Sequence, residues 1–308
     1  MWNKNKILEL YELPFNDLLH KAHLTHRENF NVNQVQVSTL LSIKTGSCPE
    51  NCKYCPQSAH YNTDIKKTPL LDIEQVIKSA KAAKAKGSSR FCMGAAWRNL
   101  NDRDVPQMCE MVKEVKKLGL ETCLTLGMIT GTQADKLKES GLDYYNHNVD
   151  SSKDYYEKII TTRNYQDRLD TIQNVANANI HICSGGIVGM GEQREDRAEM
   201  IATLASFNPT PKSIPINLLE KIAGTPLEHS EDLDVFEFVR TIAATRIAAP
   251  ASYVRLSAGR KNLSREAQAL CFYAGANSIF YGETLLTQDN PSEDTDKKLF
   301  EELGLKAV

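Results

Sequence analysis

From Val35 onward the chain alternates short β-rich runs with helical stretches eight times over, and no segment rich in Pro, Gly or Ser divides the series. The β-like runs fall near 35–43, 89–95, 121–127, 143–149, 181–189, 213–219, 253–259 and 278–282. Helical periodicity fills the gaps from Ile73 to Lys86, Val105 to Leu118, Ala134 to Ser140, Tyr165 to Ala178, Arg194 to Phe207, Leu233 to Ala248 and Arg265 to Ala274. Gly87, Gly119 and Gly141 stand just past the first three, where a helix ends on a residue that tolerates the left-handed conformation. Strands that are each followed by a helix pair in parallel with both faces covered, which predicts an α/β fold of the (β/α)8 TIM-barrel type. A doubly wound open sheet is the alternative. The charged segment near 292–303 supplies the eighth helix.

The 308 residues would allow two average domains, but a barrel of this size forms one. Residues 1–34 read as an N-terminal helical extension, with Leu8, Leu10, Tyr11, Leu18, Leu19 and Ala22 at helical spacing and Pro14 able to begin a second helix. The barrel then occupies 35–290, and a C-terminal helix and tail occupy 291–308. The lysines at 78, 81, 84 and 86 mark a solvated helix face.

Directly after the first β-run comes Cys48-Pro-Glu-Asn-Cys52-Lys-Tyr-Cys55, a C-x3-C-x2-C triad at the C-terminal mouth, where barrel enzymes carry their active sites. A [4Fe–4S] cluster held by cysteine alone takes four thiolates, so a local set of three leaves one iron open to a small molecule. A structural zinc site completed by His60 is the competing reading. Cys92, Cys123 and Cys183 each lie three or four residues into a β-run, and Arg255 lies at matching depth on the seventh. Residues at matched depth can meet inside a barrel. The rule that alternate strands share a layer leaves Cys92 out of that set. A buried arginine among thiols requires an anionic partner, which a thiolate-bound cluster supplies. Cys109 and Cys271 fall in helical segments and read as core thiols.

Eight cysteines in a chain of ordinary globular composition point to metal or catalytic use, since disulfide frameworks belong to small secreted domains. The net charge of -2 gives no electrostatic reason to expect nucleic acid or an anionic membrane as partner. The N-terminus lacks a secretory h-region and no apolar run reaches membrane-span length, so a cytoplasmic location is expected. The histidines form no H-x3-H or H-E-x-x-H pattern, so hydrolytic metal chemistry is not indicated.

With Tyr54 before its last cysteine, the triad resembles the signature of the radical S-adenosylmethionine superfamily. Over about 35–290 the chain is similar, within it, to the biotin synthase family. The likeness is carried by 42–57 around the triad, 90–97 around Cys92, Asp143-Tyr-Tyr-Asn-His-Asn-Val-Asp150, Cys183-Ser-Gly-Gly-Ile-Val-Gly189 and Tyr253-Val-Arg255-Leu-Ser-Ala-Gly-Arg260. The resemblance implies a cytoplasmic homodimer that inserts sulfur into dethiobiotin, fed by an electron donor such as flavodoxin or ferredoxin. It implies that Cys48, Cys52 and Cys55 bind a [4Fe–4S] cluster, and that Cys92, Cys123, Cys183 and Arg255 bind a [2Fe–2S] cluster. Tyr54, Asp150, Arg168 and Gly189 would contact S-adenosylmethionine, and Asn148 and Asn217 the substrate.

No side chain would itself be catalytic, because the cofactors break the bonds and the protein positions them. Gly185 to Glu192 resembles a segment that lines the adenine in this superfamily. One departure is Met93-Gly94-Ala95, which stands where the superfamily carries Gly-Gly-Glu, so no acidic side chain there is assigned to the methionine amine. A hydrogenase-cofactor maturase or a methylornithine-forming mutase would share the barrel. The joint presence of Cys92, Cys123, Cys183 and Arg255 separates this chain from them.

Overall fold

The computed structural model describes residues 2–308. Its strands are β1 (Gln34–Lys44), β2 (Arg90–Ala95), β3 (Glu121–Thr125), β4 (Tyr144–Asn146), β5 (His181–Cys183), β6 (Gly186–Val188), β7 (Ser213–Leu218), β8 (Tyr253–Leu256), β9 (Ser278–Tyr281), β10 (Thr284–Leu285), β11 (Gln288–Asp289) and β12 (Lys306–Ala307). Strands β1 to β5 and β7 to β9 pair in parallel in that order, and β9 returns to β1 with Gln36–Thr39 opposite Ser278–Tyr281. That last pairing closes the sheet into the expected (β/α)8 barrel. An open doubly wound sheet would have left two free edges.

The surrounding helices form where apolar spacing and caps coincide. In Val105–Lys117, Val105, Met108, Met111, Val112 and Val115 make one buried stripe. Ile73–Ala85 and Gly131–Glu139 each begin with a reciprocal capping box, Asp72 with Gln75 and Thr130 with Gln133. The eighth barrel helix is Glu293–Leu303.

Three segments differ from the sequence-based expectation. The run read as one strand over 181–189 is two short strands, and β6 pairs only with β7. The break is steric: a β-carbon at Gly185 would sit 1.9 Å from the Pro215 carbonyl oxygen, and one at Gly186 would sit 2.1 Å from the Met200 sulfur. The run near 278–282 continues into an antiparallel β10–β11 hairpin above the mouth. The C-terminal tail pairs as β12 with Gln34 and Val35 at the start of β1.

The N-terminal extension divides at Pro14 into helices Lys4–Glu12 and Phe15–Asn29, and these pack on the helices Arg194–Ser206 and Val235–Ala248 respectively. Tyr11 donates a 2.9 Å hydrogen bond to the Thr241 hydroxyl across this seam. No helix among the described residues is long and apolar enough to cross a membrane.

His26, on the second of these helices, is fully buried with neither ring nitrogen hydrogen-bonded. Burial, aided by the positive charge of Arg246, pushes its pKa down to about 3. The folded chain therefore binds fewer protons than the unfolded chain between pH 6.5 and 3, and stability falls as pH drops through that window, by up to about 1.4 kcal/mol per pH unit. We expect His26→Leu to flatten the loss of Tm on acidification from pH 6.5 to 4. An unchanged acid-side slope would contradict this.

Candidate active site

The triad loop leaves the C-terminal end of β1 through a left-handed turn at Gly46 and Ser47. It is stitched to its own far side: the Cys48 amide donates to Gln57 O (2.9 Å), Ala59 to Cys48 O (2.7 Å) and Cys55 to Cys52 O (2.9 Å). From outside, the 159–163 segment clamps it. The Lys53 amide donates to Ile159 O at 3.1 Å, and Asn51 Oδ1 accepts from the Thr161 and Thr162 amides at 2.9 and 3.2 Å. Buried Glu50 pairs with Arg98 at 3.3 Å and Arg163 at 3.6 Å.

Burial raises all three thiols, Cys55 to about 12, so a positive centre is needed to draw off their protons. The irons of a cluster are such a centre. His60 is exposed, with Nε2 3.0 Å from Pro49 O, and is occupied on its own loop.

The second cysteine set lies below the mouth. Cys92 and Cys123 face each other in register across β2 and β3, and Cys183 is in register with Asn146. In-register residues of parallel strands share a face, so neighbouring strands both deliver a thiol inward. This is why Cys92 joins the set although the alternate-strand rule omits it. Cys123 hydrogen-bonds to both of the other thiols, which raises its own pKa. The same bonds, helped by Arg255, lower Cys92 and bring Cys183 down to about 5.

Arg255 is 1% exposed. Its Nε donates to Ser278 Oγ (2.9 Å), and its Nη2 to Gln36 Oε1 (3.1 Å) and Ser38 Oγ (3.0 Å). All three partners are neutral, and Nη1 takes no part in these bonds. Among the described residues no carboxylate pairs with it. A buried cation beside three thiols and without a carboxylate partner is an environment that an anionic iron–sulfur cluster would complete. Aromatic rings wall the set: Phe280 lies 4.4 Å beneath Arg255, and Tyr144 lies 3.5 Å from Arg90, which is also buried and paired with Glu121 at 2.8 Å.

Two cavities connect the sets. The upper one, about 230 Å³, is lined by Tyr54, Cys55, Asn148, Asp150 and Asn217 together with the β10–β11 hairpin. The lower one, about 130 Å³, is lined by Cys92, Cys123, Cys183 and Arg255. Leu40, Asn148, Asn217, Ser257 and Leu286 border both.

Asn148 Oδ1 accepts from the Gly185 amide at 3.1 Å and from Asn146 Nδ2 at 3.2 Å, which fixes the side chain at the cavity wall. Asn217 spans Gly186 O and the Ala258 amide at 2.9 and 3.2 Å. Asp150, at φ +67°, accepts from Tyr54 OH at 2.9 Å and pairs with Arg168. Arg168 itself does not line the upper cavity; it stands behind Asp150 with Nε on Tyr156 OH at 3.0 Å.

Gly189 borders a separate cavity with Leu218 and Leu219. Its amide and that of Met190 are bound by Glu192, which pairs with Arg197 at 3.0 Å, so the glutamate closes its own turn. Sequence reading missed Gln36, Ser38 and Ser278, which hold Arg255. It also missed Asn146, whose Nδ2 lies 3.3 Å from Cys183 Sγ. Their only signal was position: Gln36 and Ser38 alternate with valines along β1, Ser278 opens β9 and Asn146 ends β4.

Residues 42–204 match the Radical SAM superfamily, and 215–306 match the Biotin and Thiamin Synthesis associated domain. A biotin synthase from Hahella chejuensis is 60% identical over 305 residues, covering 99% of this chain and 86% of that protein. The chain belongs to the biotin synthase family.

Another member, from Alkalilimnicola ehrlichii, is also 60% identical and covers 99% of this chain and 92% of its own length. Among solved structures, a methylornithine synthase superposes with a TM-score of 0.83 at 17% identity, covering 100% of this chain and 94% of its own. The FeFe-hydrogenase maturase of Carboxydothermus hydrogenoformans gives 0.82 at 16%, covering 96% and 72%. These two share the fold, whereas the biotin synthase family shares most of the sequence.

The Asp150–Arg168 pair is buried on both sides. Removing the carboxylate strands a buried guanidinium, so Asp150→Ala is expected to cost about 3 kcal/mol or more in chemical denaturation, and Asp150→Asn less, because Asn keeps an acceptor and tolerates positive φ. A loss below about 1 kcal/mol for the alanine variant would show that the pair is not the anchor of this wall.

Proposed function

We propose that the two cysteine sets divide the work of the family's reaction, the radical insertion of sulfur into dethiobiotin to form biotin. The enzyme's cofactors are a [4Fe–4S] cluster, a [2Fe–2S] cluster and S-adenosylmethionine. When bound, the first cluster would supply the electron that cleaves S-adenosylmethionine, and the second would supply the sulfide inserted into dethiobiotin. Cys48, Cys52 and Cys55 would hold the first, on a loop fixed by its own backbone bonds and by the 159–163 segment, with Cys55 lining the upper cavity. Cys92, Cys123, Cys183 and Arg255 hold the second below it.

The remaining residues position and exclude. Tyr54 and Asp150 face S-adenosylmethionine from the upper cavity wall, Arg168 fixes Asp150 from behind, and Gly189, at φ +89°, shapes the turn after β6. Asn148 and Asn217, bordering both cavities, offer amides that suit the ureido group of dethiobiotin. Apolar walls keep water from a carbon radical. A homodimer, a flavodoxin- or ferredoxin-type electron donor and a cytoplasmic location complete the proposal on the strength of the family resemblance.

The observation that carries the reading is Arg255, buried without a carboxylate beside three thiols and directly under a cavity that the triad borders. The test is anaerobic assay with dethiobiotin, S-adenosylmethionine and a reductant. We expect Cys52→Ala to abolish 5′-deoxyadenosine formation. Cys183→Ala is expected to keep some of that cleavage yet yield no biotin. Normal biotin from Cys183→Ala would remove the deeper set as sulfur source, and zinc without acid-labile sulfide in the purified protein would remove both clusters.

A further inference from the structure

Leu286 begins the two-residue turn of the β10–β11 hairpin, and its φ is +53°. Glycine usually holds such a position, and a leucine there carries a backbone cost of about 1–2 kcal/mol. The strain is maintained by anchors at the hairpin's feet. Asn290 Nδ2 donates to Phe280 O and Gly282 O at 3.0 and 2.8 Å, and Lys261 pairs with Asp289 at 2.6 Å.

Of the four hairpin residues that line the upper cavity, Leu286 alone also borders the lower one. Facing it on β2 is Gly94, where a β-carbon would lie 2.8 Å from Leu286 Cδ2. The missing side chain at 94 is the space that the leucine fills. Leu286 therefore stands at the junction between the triad's cavity and the thiols' cavity, with Gly94 as the socket behind it.

We propose that Leu286 is a positioning residue for sulfur insertion: seated against Gly94, it narrows the junction so that the substrate's reacting carbons span it, and it keeps the carbon radical from leaving before it meets sulfur. This rests on the function proposed above. Ser257, Asn148 and Asn217 at the same junction offer the hydroxyl and amide groups that orient a substrate, and Leu40 is the other apolar side chain there. A strained backbone retained at a junction is explained when the side chain it presents is used there.

Leu286→Gly removes the knob and relieves the backbone, so the full chain should keep its Tm; Leu286→Asn, which tolerates the same backbone, is a second variant in case the first fails to fold. In the cluster-free full chain, iodoacetamide labelling read by peptide mass spectrometry should modify Cys92, Cys123 and Cys183 several-fold faster in either variant than in the parent, with Cys48 unchanged. In the reconstituted enzyme, 5′-deoxyadenosine formed per biotin should rise several-fold, and Leu286→Met should restore the parent ratio. Gly94→Ala should raise the same ratio, and its combination with Leu286→Ala should be non-additive.

Unchanged labelling together with an unchanged product ratio would overturn the role of Leu286. If the parent itself cleaves no S-adenosylmethionine, the proposed function fails instead, and the labelling still decides whether Leu286 closes the junction.

Discussion

A guanidinium sealed inside a barrel and held only by neutral groups is the constraint around which this interior is arranged. Arg255 is bound by Gln36, Ser38 and Ser278 from β1 and β9, the two strands whose pairing closes the sheet. Closure therefore builds the cage, and the cage fixes the cation opposite the thiols of β2, β3 and β5. Desolvating such a charge without a carboxylate partner is expensive. The proposed anionic cluster on Cys92, Cys123 and Cys183 would turn that cost into a binding site. The hydrogen-bonded thiols, two of them already lowered, are prepared for the same partner.

The mouth is built by the opposite logic. There the thiols are raised by burial, and rigidity comes from backbone bonds and from the 159–163 clamp on Asn51, Glu50 and Lys53. Asp150 links this region to the barrel: its backbone lies beside Gly186, and its carboxylate joins Tyr54 of the triad loop to Arg168 of the helix Tyr165–Asn177. The triad loop and the strand wall are thus one mechanical unit. Its fixed distance to the deeper thiols is what a reaction using both clusters on one small substrate requires.

Much of this was legible in the sequence because strand depth is countable. Cys92, Cys123, Cys183 and Arg255 sit at matched positions in their runs, and their convergence needs only a closed parallel sheet. What was not legible depends on contacts between distant segments. Gln36 and Ser38 meet Arg255 only when β1 closes on β9, whereas Ser278 is its in-register neighbour on the next strand. The break between β5 and β6 depends on the Pro215 carbonyl, which no local pattern announces. Arg168 read as a fork for a ligand carboxylate, yet the structure sets it on Asp150. Leu286 was hidden for a different reason: it occupies a backbone region where local rules expect glycine, so turn chemistry gave no sign of the hairpin.

The central claim is that the interior holds two chemically distinct iron–sulfur sites on separate ligand sets. Mössbauer spectroscopy of the chain reconstituted with ⁵⁷Fe, alongside its Cys183→Ala variant, tests it most directly. The account predicts [4Fe–4S] and [2Fe–2S] signals in the parent chain and selective loss of the [2Fe–2S] signal in the variant. A single cluster type in the parent, or equal loss of both signals in the variant, would contradict it.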